Sequence, residues 1–474
     1  MIYERNDSLS IASEISRINQ NIAAAYTACS EKGATMPAAQ NSAHLADTID
    51  SINGAAEAPE RKDVNFFDYD GTLLYSYSIA QAAALTSLPD LPSHEGLICQ
   101  GWNYTLAQIR ATSGVLDVGC NYTTDDGSTK LYCLVPKGTK LNQLKICLTM
   151  EPGESATIHW GDGTTTIVDN PASTSAKIIS TKDDYTEAAE DTVLCIRIVG
   201  GRFMIGGSSE TVFGVDPTIL SAMPVLKEVF LGANCVGVFS NAFQNCFSLT
   251  SVTIPSGVTS IGEKAFSDCY GLTFAAIPMS VTSIRGRVFM GCSSLAFVSI
   301  PMSVTSIEEH AFCDCKRLMS VVIPAGVAVI STNIFCACSS LQTAALHTGL
   351  PRMSSGMWMD CSSLVKIDLP DTLTMIGESM FKSAQKLYRV VVPVSVTSIG
   401  NQAFYNCSSM NIIDLSAFTD PNHIPSLGGV YINVFYNIKG KIYVANAEML
   451  SAFRSATNWS TIPADKFAIK EAST

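Results

Sequence analysis

The residues whose types and spacing most directly suggest chemistry are two carboxylates, Asp68 and Asp70. They lie in the stretch DVNFFDYDGTLLYS, from Asp63 to Ser76, after an apolar run and before Gly-Thr. The pair could be the catalytic loop of an enzyme. It could also be the turn of a β-hairpin, because Asp-Gly between alternating strands is a strong hairpin signal. The secondary structure predicted on either side of the pair distinguishes between these two interpretations.

An apolar run followed by Asp-x-Asp-Gly-Thr-Leu resembles the nucleophile loop of the haloacid dehalogenase-type phosphatases. The resemblance implies Mg²⁺-dependent catalysis in which Asp68 attacks phosphorus and Asp70 acts as acid and base, with Lys145 and Asp162 as nominees for further contacts. That family needs a helix after the nucleophile strand, whereas LLYSYS continues as an alternating strand. Asp162 already belongs to a Gly-Asp-Gly turn. We therefore predict a hairpin and keep the phosphatase as an alternative.

Two further Asp-Gly turns have the same strand–turn–strand pattern. One is in NYTTDDGSTKLYCLV, from Asn121 to Val135, and the other is in ATIHWGDGTTTIV, from Ala156 to Val168. We expect three Asp-Gly hairpins in a β-rich N-terminal half. The second stretch, together with TVLCIRI, resembles PKD-like β-sandwich domains, although Trp160 here directly precedes the Gly-Asp-Gly. Such modules are usually spacers or binding domains.

Other catalytic constellations are missing from the sequence. The six histidines are scattered without metal-binding spacing, and there is no Gly-x-Ser-x-Gly motif, phosphate loop or dinucleotide fingerprint. His159 beside Trp160 is interpreted as a strand residue. We predict a non-enzymatic protein with no catalytic residues, no cofactor and no metal site.

Composition and charge narrow the function classes further. The chain is 47% hydrophobic and 15% charged, with a formal charge of −12, which argues against disorder and against binding of nucleic acid through a basic patch. No apolar run is long enough for a transmembrane helix, so we expect no membrane insertion. The start, MIYERNDSLS, lacks the features of a conventional signal peptide, which favours folding in a cytoplasm and reduced thiols for the sixteen cysteines.

A 23-residue repeat organises the second half of the chain. An aromatic column recurs without a slip: Phe243, Phe266, Phe289, Phe312, Phe335, Trp358, Phe381 and Phe404. A Leu column and a column of Ile, Leu or Val before Pro keep the same period, and a degenerate first unit begins near Leu220. Each unit reads as a short strand ended by Pro, a second short extended piece, and a helical or 3₁₀ turn such as EKAFSDC. One unit cannot bury its apolar side alone, so stacked units should form a parallel solenoid.

The pattern AFxxCSSLxxVxIPxSVTSIG resembles the BspA-like leucine-rich repeats over about residues 215–420. The resemblance implies a binding role and supplies no catalytic residues. Seven cysteines share one repeat position, with Ala384 in place of another: Cys246, Cys269, Cys292, Cys315, Cys338, Cys361 and Cys407. CDC at 313–315 and CAC at 336–338 could supply four zinc ligands, but we interpret the column as small hydrophobic side chains.

Two sets of residues are candidates for binding. Outward strand positions of the repeats give a candidate ligand surface consisting of Phe274, Phe297, Met319, Tyr388 and Arg389. Alternatively, some of these side chains contact a neighbouring domain. Near the N-terminus, 4-3-4-3 spacing gives a candidate oligomerisation seam that includes Ile11, Ile15, Ile18, Ile22 and Cys29. The alternative for that segment is a helix hairpin packed on its own domain or on a larger assembly.

Residues 1–135 are similar in layout to N-terminal parts of tail-associated structural proteins of gut bacteriophages. Together these patterns predict a mainly β protein: a leucine-rich-repeat solenoid preceded by short helices and small antiparallel β-domains. The expected domains are 1–62 for attachment or oligomerisation, 63–135 β-rich, 136–205 PKD-like, 206–420 solenoid and 421–474 C-terminal cap.

The expected function is adhesion by a virion protein of a phage tail fibre, tail tip or baseplate, assembled in the host cytoplasm. Its partners would be other tail proteins through the N-terminus, a host surface protein or glycan through the solenoid, and further copies in a homo-oligomer such as a trimer. The alternative is a bacterial cell-surface adhesin or an intracellular scaffold.

Overall fold

The computed structural model describes residues 62–138, 143–183, 185, 188–207, 226–346, 349–350 and 353–470. The described residues are mainly β, as predicted, with short parallel strands stacked in a leucine-rich-repeat solenoid. The candidate seam, with Ile11, Ile15, Ile18, Ile22 and Cys29, lies outside the described residues.

A small N-terminal domain contains a four-stranded sheet in the order β2-β1-β4-β3. Its elements are β1 (Val64–Phe67), β2 (Leu73–Tyr77), α1 (Ile79–Ala83), β3 (Leu97–Trp102), α2 (Leu106–Arg110) and β4 (Leu116–Thr124). Both helices begin at capping boxes, Ser78 with Gln81 and Thr105 with Gln108.

The Asp68–Asp70 pair lies in the turn of a β-hairpin. β1 and β2 are antiparallel, the Asp68 amide donates to the Thr72 carbonyl at 2.9 Å, and Gly71 takes a φ of 91°. The hairpin prediction is therefore correct, and no helix directly follows β1 as a phosphatase loop would require. β1 also pairs in parallel with β4, which places the turn beside a strand from later in the chain.

Two sheets follow and share one core with the solenoid. Their strands are β5 (Thr129–Val135), β6 (Gln143–Met150), β7 (Ser155–His159), β8 (Thr165–Asp169), β9 (Ala176–Asp183), β10 (Thr192–Val199) and β11 (Phe203–Ile205). One sheet has the order β5-β10-β7-β8 and the other β11-β6-β9. β7 and β8 form the predicted hairpin around Trp160. The first solenoid strands, Leu226–Phe230 and Cys235–Val238, extend these two sheets.

The Asp-Gly turn at 126–127 corrects two expectations. β4 and β5 flank this turn, but β4 pairs with β1 and β3, whereas β5 pairs with β10 and the first solenoid strand. The turn therefore moves the chain from one sheet to another, and the prediction of a hairpin here was wrong. The strand 129–135, which we had assigned to the first domain, lies in the sheet of the second.

The solenoid has a main sheet and a minor sheet. The main-sheet strands are β12 (Leu226–Phe230), β14 (Ser251–Thr253), β15 (Phe274–Ala276), β17 (Phe297–Ser299), β19 (Ser320–Ile323), β21 (Thr343–Leu346), β22 (Lys366–Ile367), β24 (Arg389–Val391), β26 (Ile412–Asp414), β28 (Lys441–Val444) and β29 (Phe467–Ile469). The minor-sheet strands are β13 (Cys235–Val238), β16 (Ser283–Ile284), β18 (Ser306–Ile307), β20 (Val329–Ile330), β23 (Met375–Ile376), β25 (Ser398–Ile399) and β27 (Ser426–Leu427).

The aromatic column stacks through the centre of the solenoid, as its 23-residue period predicts. Successive rings from Phe243 to Trp358 lie 5.0–5.6 Å apart with planes within 9° of parallel. All of these rings are fully buried. Because each residue of a turn lies directly above its counterpart 23 residues away, equal side chains meet at one-turn spacing.

The third segment of each repeat is a series of hydrogen-bonded turns, not a helix. In EKAFSDC, the Ser267 amide donates to Lys264 and the Cys269 amide to Phe266, each to the carbonyl three residues before. However, Lys264 and Asp268 have φ values of 56° and 61°, and most other repeats have the same two left-handed positions. Left-handed residues interrupt a right-handed helix, so the helical alternative was wrong. The hydrogen bonds to the carbonyl three residues before agree with the other alternative, a 3₁₀-type turn.

The 23-residue period ends near Leu415, but the main sheet continues. β28 pairs in parallel with β26, and β29 with β28. Phe435 extends the aromatic column at 5.8 Å from Phe404. The predicted helix is present as α4 (Ala447–Ser455), after the short α3 (Tyr431–Val434), and Trp459 is buried beside it. None of the helices in the described ranges has the length and apolar character that crossing a bilayer requires.

Candidate functional site

The carboxylates of Asp68 and Asp70 make structural contacts. Asp68 is 4% exposed; its Oδ1 accepts from the Tyr122 hydroxyl at 2.7 Å, and its Oδ2 lies 2.7 Å from His94 Nε2. Burial and the bond to Asp68 raise the pKa of Tyr122, which keeps the phenol protonated. Asp70 accepts from the Thr72 amide of its own turn, and Asp162 accepts from Thr164. These contacts fix turns and join strands.

The seven-cysteine column has the structural role that we expected. Most of its thiols donate to the carbonyl of an aromatic-column residue 26 positions earlier, as Cys269 does to Phe243 at 3.2 Å. Burial raises the pKa of Cys246 and, despite a backbone hydrogen bond, that of Cys407 to about 12, so these thiols are not thiolates at neutral pH. Among the residues that the structure describes, no three His, Cys, Asp or Glu side chains gather as metal ligands.

Four cysteines outside that column correct the expectation of reduced thiols. Cys99 and Cys120 form a disulfide between β3 and β4, and Cys313 and Cys336 form one between adjacent solenoid turns. CDC and CAC therefore do not supply four zinc ligands: their first cysteines bond to each other, and their second cysteines are buried thiols.

The N-terminal domain covers the first part of the outward side of the main sheet. Phe67 lies 4.6 Å from Phe297 and 5.5 Å from Phe274 between ring centroids. Phe274 is only 1% exposed. Two residues of the candidate ligand surface are therefore covered by the N-terminal domain, which is the alternative that the sequence left open. We call this part, from Ser251 to Val322, the covered face.

Prolines of the solenoid leave main-chain carbonyls on the covered face without a ladder donor, and the N-terminal domain bonds to these carbonyls. In the main sheet, the Lys470 amide donates to the Val444 carbonyl of the preceding turn at 2.9 Å. The equivalent donors to Ile254, Ile277 and Ile300 would be the prolines at 278, 301 and 324, which have no N–H. Three side chains of the N-terminal domain replace those donors: Asn121 to Ile254 (3.3 Å), Asn103 to Ile277 (3.1 Å) and Tyr104 to Ile300.

Close backbone approach completes this contact. The Gly119 amide donates to Asn103 Oδ1 at 2.9 Å and to Ser299 Oγ at 3.1 Å. Ser299 Oγ also lies 2.6 Å from the Asp117 carbonyl, and Ser320 donates to the Asp117 carboxylate at 3.0 Å. β4 thus crosses several solenoid turns and bonds to each of them.

The main-sheet surface beyond the covered face is open. It forms a groove of about 430 Å³, lined by Val365, Lys366, Ile367, Asp368, Tyr388, Arg389 and Val391, which we call the open face. Tyr388 and Val391 are 50% and 46% exposed. Pro370 and Pro393 lie opposite the carbonyls of Leu346 and Leu369, so these acceptors also lack a ladder donor. The open face therefore combines apolar area and charge, and it lies near two main-chain acceptors that receive no N–H from the prolines opposite them.

The candidate ligand residues thus fall in different places. Tyr388 and Arg389 lie together on the open face, Met319 is half-buried, and Phe274 and Phe297 are covered. Sequence reasoning missed Val365, Lys366, Asp368 and Val391. Val365 and Lys366 occupy the same repeat positions as Tyr388 and Arg389, so the repeat could have placed them on this face. Asp368 and Val391 share a repeat position two residues after Lys366 and Arg389, which the alternation of a strand puts on the same face.

Comparison with known protein families identifies the type of the repeats. Residues 216–296 and 282–411 match the BspA type leucine rich repeat region, in six copies. The resemblance inferred from the repeat pattern is therefore confirmed for this part of the chain. No curated protein matches the sequence.

Several solved structures of leucine-rich repeat proteins are similar to part of this chain. A leucine-rich repeat protein from Bacteroides ovatus is 22% identical, with 51% of this chain and 67% of that chain covered and a TM-score of 0.39. A leucine rich cell surface protein from Faecalibacterium prausnitzii is 22% identical, with 54% and 93% covered and a TM-score of 0.28. A T. pallidum leucine-rich repeat protein is 27% identical, with 37% and 86% covered and a TM-score of 0.31.

A buried carboxylate closes the C-terminal side of the open face in the BspA-type solenoid. The Asp414 side chain is 2% exposed, and its Oδ2 pairs with Arg389 at 3.0 Å and Lys470 at 2.9 Å. Burial alone would raise the pKa of Asp414, but hydrogen bonds from Ser416 and Lys470 outweigh it and lower the pKa below its ordinary value of 3.8. The ionised form therefore stabilises the contact between the last strand and the open face.

We expect Asp414→Asn to lower the free energy of unfolding by about 1.5–3 kcal/mol at pH 7, because the substitution removes charge-assisted hydrogen bonds. Since the folded-state pKa is depressed, the stabilisation is complete above the ordinary value of 3.8 and is lost as the pH falls through the folded-state pKa. Urea unfolding at a series of pH values should show the two proteins converging below that range. Asp368→Asn is the control, because Asp368 is 81% exposed and should change little. A constant difference at all pH values would contradict this role.

Proposed function

We propose that this protein is a non-enzymatic adhesin that binds a ligand on a cell surface through the open face of its repeat solenoid. The observation that carries the proposal is the open face itself. Exposed Tyr388 and Val391 lie there beside the ion pairs of Lys366 and Arg389. The nearby Leu346 and Leu369 carbonyls receive no N–H from the prolines opposite them in the ladder. Burial of such apolar side chains on binding supplies most of the free energy of association, while the polar groups supply specificity.

The contacts on the covered face support the open face as the ligand-binding surface. The N-terminal domain shows that side-chain amides and hydroxyls can bond to the carbonyls that prolines leave unpaired, and that small residues let a partner approach closely. A glycan or protein that presents hydroxyl or amide donors could use the corresponding acceptors on the open face. Copies held together would add avidity to these contacts.

The setting that we propose is a phage virion, as part of a tail fibre, tail tip or baseplate, with a bacterial cell surface as the alternative. The two disulfides favour exposure outside a reducing cytoplasm, which both settings provide and an intracellular scaffold does not. Attachment to other tail proteins, or assembly into a trimer, would involve residues 1–62. Light scattering of the full chain would contradict the trimer if it gave the mass of a monomer.

The test of the open face is a double substitution, Tyr388→Ala with Val391→Ser. We expect binding of the labelled full chain to intact bacterial cells, or to an immobilised glycan panel, to weaken about tenfold or more, as loss of central interface side chains does. Val329→Ser is the matched control, because Val329 is a 57% exposed valine on the minor sheet. Unchanged binding by the double variant, or equal loss in the control, would rule out the open face.

A further inference from the structure

The strand β8 (Thr165–Asp169) has an open outer edge. It is the last strand of its sheet, and within the described ranges no strand pairs with the side that faces away from β7. A strand of an antiparallel pair alternates between residues that bond to its neighbour and residues whose N–H and C=O groups point away. The pairing of β7 with β8 therefore determines which main-chain groups lie at this edge.

The bonds at the two ends of the hairpin define this alternation. The Trp160 amide donates to the Thr164 carbonyl at 3.0 Å, and the Asn170 amide donates to the Glu154 carbonyl at 2.9 Å. Even-numbered residues of this stretch therefore face β7, in agreement with the register of the pair. The residues whose main-chain N–H and C=O groups point to the open edge are Thr165, Ile167 and Asp169.

The same strand is fixed on its inner side and exposes an apolar side chain on its outer side. The Trp160 indole donates to Thr166 Oγ1 at 2.8 Å, and Val168 is 6% exposed. Ile167 is 67% exposed, the largest value for a large hydrophobic side chain in the described part of the chain. A rigid edge with unpaired main-chain groups and an exposed apolar residue is a template for another strand.

The sequence of β8 is complementary to itself. If two copies pair antiparallel around Ile167, the two Ile167 side chains lie opposite each other, and Thr165 of each copy lies opposite Asp169 of the other. Asp169 is the only charged residue of β8, so this register places each carboxylate beside a hydroxyl donor instead of beside another carboxylate. A shift of two residues would place Ile167 opposite Thr165 or Asp169 and lose the apolar pair.

We propose that two copies of this chain associate through their β8 edges, which pair antiparallel about a two-fold axis at Ile167. The two sheets then form one continuous sheet across the axis, with main-chain bonds between the outward groups of β8. A single pair of short strands buries less area than the roughly 1,200–2,000 Å² of a standard interface, so we expect a Kd on the order of 10⁻⁵ M. Pairing would present two open faces together and add avidity to the binding of each.

The first test is the mass of the full chain, measured without ligand by sedimentation velocity at chain concentrations from about 10⁻⁶ to 10⁻⁴ M. We expect the mass to increase with concentration, whatever copy number residues 1–62 set. Ile167→Lys places two like charges opposite each other in the pair and should weaken this association tenfold or more. Ile432→Lys is the matched control, because Ile432 is a 61% exposed isoleucine in α3, away from β8.

The second test examines the register. Thr165→Asp places carboxylates opposite Asp169 of the other copy and should weaken the association. Adding Asp169→Thr exchanges the two residue types within the strand, restores the pairing of carboxylate with hydroxyl, and should restore the association. Thr165 and Asp169 are four residues apart on one strand, so the exchange acts between copies and not within one chain. Circular dichroism of each variant shows whether it is folded.

Four results would overturn the pairing. They are a mass that does not change with concentration in the unmodified chain, an equal loss of association in Ile432→Lys, an unchanged association in Ile167→Lys, and a failure of Asp169→Thr to rescue Thr165→Asp. A lower thermal stability of Ile167→Lys without any change in mass would show that the edge is occupied by another segment of the same chain.

Discussion

Phe312→Ala should lower the free energy of unfolding by about 3–5 kcal/mol, the usual cost of emptying a fully buried aromatic site. Phe312 is completely buried and stacks between Phe289 at 5.6 Å and Phe335 at 5.4 Å. In a solenoid each turn is stabilised by its two neighbours, so one substitution weakens two contacts between turns. Urea unfolding followed by circular dichroism measures the change.

Tyr270→Ala is the matched control for that substitution. Tyr270 also stacks on a ring of the adjacent turn, Phe247, at 4.9 Å, but it is 47% exposed. Its loss should cost about 0.5–1.5 kcal/mol, the range for an aromatic pair without deep burial. Equal effects of the two substitutions would show that the buried column does not determine the stability of the solenoid.

Gly119→Ala should displace the N-terminal domain from the covered face. A Cβ at this position would lie 2.6 Å from Ala276 Cβ and 3.1 Å from the Phe274 ring. The backbone cannot move away without losing the bonds of the Gly119 amide to Asn103 and Ser299. We expect a destabilisation of about 1–3 kcal/mol, typical of overpacking. Hydrogen exchange in the strand Phe274–Ala276 should become faster.

Two further variants test whether the steric clash of the added Cβ causes the destabilisation by Gly119→Ala. Gly257→Ala is the control, because a Cβ there meets nothing within 4 Å. Adding Ala276→Gly to Gly119→Ala should restore part of the lost stability and slow the exchange again, because it removes the methyl group that lies nearest to the added Cβ. Strictly additive effects of the two substitutions would place the origin of the destabilisation elsewhere.

The solenoid could be predicted from the sequence because its contacts are periodic. A residue 23 positions away is a direct neighbour, so the spacing of Phe243, Phe266 and their successors already describes the packing of the core. The turn segment could not be predicted in detail. Lys264 and Asp268 are left-handed there, yet lysine has no local preference for that region.

The covered face could not be predicted, because its contacts join residues far apart in sequence without any period. Asn103 and Ile277, or Asn121 and Ile254, carry no local signal of their pairing. One signal was present in the repeat: the outward positions Phe274 and Phe297 are aromatic, whereas the matching Ser251 and Ser320 are small and polar. Two adjacent outward aromatic residues indicate a surface that something covers, and here the cover is the chain's own N-terminal domain.

The path of β4 across the covered face has a mechanical consequence for a protein that holds a load. From Gly114 beside Ala345 to Asn121 at Ile254, this segment runs along the solenoid axis. A tensile force that separates these turns must break its side-chain bonds in addition to the strand ladder. Between Lys366 and Asp414, the described contacts that join the turns lie within the solenoid, as the strand ladder and the Arg389–Asp414 ion pair do, and the bonds of β4 are not among them. Stretching should therefore begin within the turns that form the open face, so that applied tension would deform the ligand surface before it detaches the domain that anchors it.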